Sequence, residues 1–179
     1  AVAGAPAPPD FERWALAERV AAAGLLSRAG GSHWSMLSAV RTSALPDGMV
    51  ASGELIDVTI SGSNRRYLAE PSFLRKRAVR FDDRVRILGP LDPLLWDRDL
   101  VRLIFDFDYV WEVYKPASQR RWGWYVCPLL HRDRLIGRID ARVEKGRLVV
   151  RKLWVDADVD IAPVRSALDK HAAACGCSR

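Results

Sequence analysis

Two alternating stretches, Arg134 to Val143 and Arg147 to Val155, flank the turn Glu144-Lys145-Gly146, and this arrangement constrains the fold more than any other feature of the chain. A period of two marks strands with one buried face, and a short glycine-containing connection joins such strands antiparallel. Further strands are predicted at Val85 to Leu88, Tyr109 to Tyr114 and Trp122 to Cys127, with Tyr114 to Tyr125 forming a second hairpin. Asp97 is placed to cap a helix through Phe105, whose Leu100, Val101, Leu103, Ile104 and Phe105 form an apolar stripe. Pro163 starts a terminal helix reaching about Cys175. Four or five antiparallel strands with one enclosed helix make a twisted sheet or a partly closed β-barrel, within an α+β chain.

The first part of the chain has a different pattern. Residues 1–9, AVAGAPAPP, read as a flexible lead. Asp10 caps a predicted helix over Phe11 to Leu26 that ends near Gly24, with Trp14, Leu16, Ala17, Val20, Ala21 and Leu25 at helical spacing. Ser27 to Trp34 is a weak, glycine-interrupted helix, and Ser38 opens a third. Pro46 falls inside that third helix and predicts a kink or a break. Leu55 to Ile60 then alternates against Arg65 to Ala69 across Ser-Gly-Ser-Asn, a hairpin signal. Three helices followed by a hairpin is the order of a winged-helix module, here residues 10–74, with Ser38 to Ser52 at the recognition-helix position and Ser61 to Arg66 as the wing. Arg41 is the only basic residue in that third helix, so the module reads as scaffold, with Arg65 and Arg66 as its candidates for phosphate contact. The run Arg75-Lys76-Arg77-Ala78-Val79-Arg80 marks a basic linker, residues 75–84, before a β-rich domain over 85–179.

Charge separates the same two parts. The 179 residues carry 28 Lys and Arg against 22 Asp and Glu, a formal net charge of +6. Residues 1–74 hold 6 basic and 7 acidic side chains, whereas residues 75–179 hold 22 and 15. The basic excess therefore belongs to the second part, and favours a polyanion partner there. In that part Trp111, Trp122 and Trp124 are interleaved with Lys115, Arg120, Arg121, Arg132, Arg134 and Arg138. Flat aromatic faces alternating with cations suit bases and phosphates. Lys115, Gln119, Arg120, Arg121, Trp122, Arg132 and Arg138 are the candidate DNA contacts, while Trp111, inside the alternating YVWEVY, reads as core. Trp124 and Tyr125 are expected to anchor the hairpin from inside.

Other chemistries find little support. Cys127, Cys175 and Cys177 do not make a disulfide framework, and His33, His131 and His171 are scattered without metal-ligand spacing, so neither a metal nor another cofactor is expected. No run approaches the roughly 18 apolar residues of a membrane span and no signal peptide is recognisable, which makes a cytoplasmic location the expectation.

Three segments, Leu-Asp-Pro-Leu-Leu-Trp-Asp-Arg (91–98), Tyr-Lys-Pro-Ala-Ser-Gln-Arg-Arg-Trp-Gly-Trp-Tyr-Val-Cys-Pro-Leu-Leu (114–130) and Asp-Arg-Leu-Ile-Gly-Arg-Ile-Asp (133–140), recur with similar order and spacing in a known family. The chain resembles the carboxy-terminal half of bacterial winged-helix DNA glycosylases of the interstrand-crosslink repair (YcaQ-like) type, from about Val20 to about Lys170. The resemblance implies a carboxy-terminal piece or a shortened relative, partnered by a missing amino-terminal half and by duplex DNA that is damaged or alkylated. The family hydrolyses the N-glycosidic bond of bulky N-alkylpurines. Its water-positioning Gln-x-Gln or Gln-x-Asp motif is absent here, and the single glutamine, Gln119, precedes two arginines. The expectation is a DNA-binding region without catalysis of its own. A non-enzymatic winged-helix regulator or adaptor is the alternative, and a protein-interaction domain a third. Asp92, Asp97 and Asp140 read as caps and turn residues rather than as acid or base.

Overall fold

The computed structural model describes residues 8–75 and 81–178. It divides into two compact units, residues 1–79 and 80–179. Residues 1–7 of the predicted lead and 76–80 of the basic run lie outside the described residues.

In the first unit, helix α1 (Phe11–Ala23) begins where the Asp10 carboxylate accepts the Arg13 backbone N–H and stops at Gly24, whose positive φ of 70° closes the last turn. Leu16 and Val20, one helical turn apart, are its buried residues. Trp14, expected in the same stripe, is 46% exposed and lies 5.6 Å from the ring of Phe11. The weak helix predicted over Ser27 to Trp34 does not form as such. Leu26–Ser27 is a short strand, β1, and only Ser32–Trp34 makes a 3-10 turn. The Trp34 indole N–H donates to the Ser27 carbonyl at 2.7 Å and fixes the intervening loop. The third predicted helix breaks in two, α2 (Ser38–Thr42) and α3 (Leu45–Ala51). Pro46 sits in the first turn of α3, where its missing N–H costs nothing, so the interruption falls before it. Strands β2 (Ile56–Thr59) and β3 (Arg66–Ala69) form the expected hairpin, and β1 adds antiparallel to the other edge of β3, giving the order β1-β3-β2. Tyr67, Leu68 and Ala69 of the central strand β3 are all buried rather than alternating, so both faces of this strand are covered.

The second unit is a curled antiparallel sheet, β4 (Val85–Ile87), β5 (Val126–His131), β6 (Arg134–Glu144) and β7 (Arg147–Val155), in that order. Lys145 and Gly146, both at positive φ, turn β6 into β7. Helix α4 (Arg98–Phe105) is capped by Asp97, which accepts from the N–H groups of Asp99 and Leu100. It is not enclosed. Its apolar residues run round more than one face, so Val101 is buried while Leu103 and Ile104 remain exposed. The deeply packed helix is α5 (Ile161–Ala174), which is capped by Asp160 and starts two residues before the expected Pro163. Its Val164, Ala167, Leu168 and Ala172 close over Leu129, Ile136, Ile139 and Leu148.

A bulge lets one strand serve two cores. Leu129 pairs with Gly137 but Leu130 pairs with Leu135, so Ile136 is an extra residue on β6. Ile136 joins Ile139 against α5, whereas Leu135 joins Leu88, Leu95, Val101, Phe107 and Tyr109 in a separate cluster. A second irregularity leaves Arg151 unpaired on β7, between Val150 opposite Ala141 and Lys152 opposite Asp140. Among the described residues no helix is long and apolar enough to cross a membrane.

Two expected strands are corrected here. Tyr109 to Tyr114 joins no sheet and has no strand pairing. The segment packs on the sheet through its side chains instead, with the Tyr109 hydroxyl donating to the Val126 carbonyl at 3.2 Å and Trp111 against the Leu88 cluster. The hairpin Tyr114 to Tyr125 is likewise absent, and the strand predicted over Trp122 to Cys127 starts only at Val126.

Candidate nucleic-acid interface

Glu112 organises the loop that takes the hairpin's place. It is 2% exposed, and its carboxylate accepts the backbone N–H groups of Arg121 at 3.2 Å, Trp122 at 2.8 Å and Gly123 at 3.4 Å. The Lys115 ammonium closes the arrangement at 2.9 Å. These are the donors that a strand ladder would have used, so binding them to a side chain excludes the ladder. Burial alone would push the Glu112 carboxyl up. The Lys115 charge and the three N–H groups outweigh it and hold the group at about 2.

Trp122 lies inside the loop's base. Its ring has the Arg138 guanidinium 3.8 Å from its centroid, Arg121 at 4.5 Å, and the Trp154 ring edge-on at 5.3 Å. Arg138 also sits 4.3 Å from the Phe107 centroid and donates to the Asp108 carbonyl, which leaves it 8% exposed. Burial, followed by the neighbouring charge of Arg121, lowers its pKa from the ordinary guanidinium value. Trp124 is 57% exposed, so the anchoring role expected of it belongs to Trp122.

Between this loop and the face of β6 and β7 runs a groove of about 580 Å³. Arg120, Arg121, Trp122, Trp124 and Tyr125 line it from the loop, and Asp140, Arg142, Arg151 and Lys152 from the strands. Arg142 and Arg151 share one carboxylate, Glu144, with Arg151 Nε at 3.8 Å and Arg142 in close contact. Arg121 and Lys152 have no carboxylate partner among the described residues. The groove therefore keeps a cationic surplus beside an exposed indole.

Of the residues singled out from sequence, Arg120, Arg121 and Trp122 come together here. Lys115 stands next to them with its charge committed to Glu112, and Gln119 is exposed at the end of the 3-10 turn Ala117–Gln119, outside the groove lining. Arg138 is behind Trp122. Arg132, in the turn between β5 and β6, is ion-paired with Asp83. Arg65 and Arg66 belong to the other unit, where Arg66 pairs with an Asp57 already held by Arg28. Asp92 and Asp97 act as caps. Sequence reading missed Glu112, Arg142, Arg151 and Lys152. The alternation of β6 carried a signal for Arg142, which lies two residues from Asp140 and four from Arg138. The bulge that brings in Arg151 left none. Among the described residues no group of three His, Cys, Asp or Glu is placed to hold a metal, and the three cysteines are free thiols.

A family model for the AlkZ-like DNA glycosylases matches residues 1–176. The chain belongs to that family, which gives it a function related to DNA-repair glycosylases and DNA as its substrate. No solved structure matches it.

Proposed function

We propose that the second unit is the DNA-holding part of a glycosylase acting on bulky or crosslinked N-alkylpurines, and that this chain does not hydrolyse the glycosidic bond by itself. The observation that carries the reading is the groove, where Arg121 and Lys152 keep unneutralised charge beside the exposed Trp124. Cations without a carboxylate partner gain most from phosphate, and an exposed indole offers a stacking surface that an interior tryptophan lacks. The first unit fits a winged-helix module. Its order α1-β1-α2-α3-β2-β3, with β1 added to β3, supports that assignment, and the commitment of Arg66 to Asp57 supports a scaffold role for the wing. Arg65 remains its candidate phosphate contact. Alkylation makes the purine a cationic leaving group, so the remaining demand is a positioned water. The family's glutamine motif would supply it, and Gln119 on its exposed turn does not replace that motif. The same absence favours the second reading, a DNA-binding adaptor without chemistry.

Titration of labelled duplex at several ionic strengths tests the binding. Non-specific affinity in the range of about 10⁻⁴ to 10⁻⁶ M near physiological salt is expected, falling steeply as salt rises. The variant carrying Arg121→Ala and Lys152→Ala is expected to flatten the log–log salt slope by nearly two. An unchanged slope would exclude this groove as the contact. Time-dependent abasic sites on N7-alkylated duplex, proportional to folded protein, would overturn the non-catalytic reading.

A further inference from the structure

One group in the groove is not explained by phosphate binding. Asp140 projects from β6 among Arg121, Arg142, Arg151 and Lys152, yet its carboxylate has no hydrogen-bond or ion-pair partner among the described residues. Lys152, directly opposite it in register, is directed toward the Trp154 ring instead, 5.9 Å from its centroid. The loop makes room for this carboxylate. A Cβ on Gly123 would lie 2.8 Å from Asp140 Oδ2, and a φ of 155° also favours glycine there. An acid on a phosphate track opposes binding by like-charge repulsion, so a surface built only for phosphate would do better without it.

We propose that Asp140 reads an unpaired nucleobase, accepting a hydrogen bond from its exocyclic amino group while the base stacks on Trp124 and the flanking phosphates meet Arg121 and Lys152. This rests on the DNA-binding reading above. The groove's volume lies within the range of about 300–1,000 Å³ typical of sites for small molecules. A carboxylate accepts from the amino group of cytosine, and is repelled by thymine, which presents a carbonyl at the same position. Stacking on an exposed indole needs a base that is out of its duplex stack. The groove is therefore assigned to an unpaired nucleotide bearing an amino group, with thymine disfavoured.

Fluorescence anisotropy with labelled oligo-dC and oligo-dT of equal length, and a duplex as reference, tests this on the whole chain at neutral pH. The parent is expected to bind oligo-dC about tenfold more tightly than oligo-dT at the same salt. In Asp140→Asn, whose amide offers both donor and acceptor, the ratio is expected to fall below about twofold, with oligo-dT gaining affinity. Trp124→Ala is expected to weaken both by about tenfold and leave the ratio intact. Equal binding of the two oligonucleotides by the parent, or a preference that survives Asp140→Asn, would overturn the role of Asp140 while leaving the DNA-binding reading in place. No binding of oligonucleotide or duplex at low salt would overturn both.

Discussion

Trp122 and Trp124 stand two residues apart in the same arginine-rich context, and the fold gives them opposite tasks. Trp122 is held between Arg138 and the edge of Trp154, so its removal takes one aromatic face from a buried guanidinium and leaves a cavity. Trp122→Ala is expected to lower stability by about 3 kcal/mol, measured by urea unfolding. Trp124→Ala, at an exposed position, is expected to change it by less than about 0.5 kcal/mol. Glu112 supplies a pH signature. Its folded-state pKa of about 2 lies below the ordinary value near 4.5, so its contribution is complete above that ordinary value. It is lost as pH falls through about 2. Asp82 and Glu144 are lowered by their own arginines and act with the same sign. Comparing Glu112→Gln with the parent isolates the buried group: the variant's stability is expected to fall less steeply between pH 4.5 and 2. An equally steep fall would mean that Glu112 is not what the acid limb reports.

At the level of elements, the least replaceable position is Gly137. A Cβ there would lie 2.1 Å from the Trp154 carbonyl oxygen, a backbone atom that cannot swing away. Gly137→Ala is expected to cost about 3 kcal/mol or more and to disturb the bulge that separates the two cores, visible as lost dispersion in amide NMR spectra of β6 and β7. Much of this architecture was legible. Asp10, Asp97 and the glycine turns declared helix starts and hairpins through local chemistry, and the β6–β7 alternation was long enough to fix a period. Tyr109 to Tyr114 misled because alternation reports one buried face without saying whether that face is reached by backbone pairing or by side-chain packing alone. The loop over 115–123 was illegible for a related reason. Glu112 holds backbone groups nine to eleven residues away, and no spacing rule links a buried carboxylate to donors at that distance. The arginines of the groove were found where they sat on the loop; Arg142 was missed although the β6 alternation carried it, and Arg151 because a bulge on β7 delivered it.

Across the whole chain, the basic excess sits in residues 75–179 while residues 1–74 are slightly acidic, and this asymmetry carries its own prediction. Arg66→Ala in the first unit is expected to loosen the Arg28–Asp57 network and lower the melting temperature, with little change in the salt slope of DNA binding. A slope reduced by about one would place a phosphate contact on that unit and remove its scaffold role. The buried Glu112 has a further consequence for how such a molecule diversifies. Because the loop is held through main-chain N–H groups, with Arg120 donating to the Lys115 carbonyl and Arg121 lying over Trp122, its shape makes few demands on the side chains at 119 and 124. Those positions are free to be rewritten, while Glu112 and Gly123 are not. A library randomised at these two outward positions would keep mostly folded members, each presenting a different surface on one unchanged frame, so new binding preferences are reachable by single steps that do not pass through unfolded sequences.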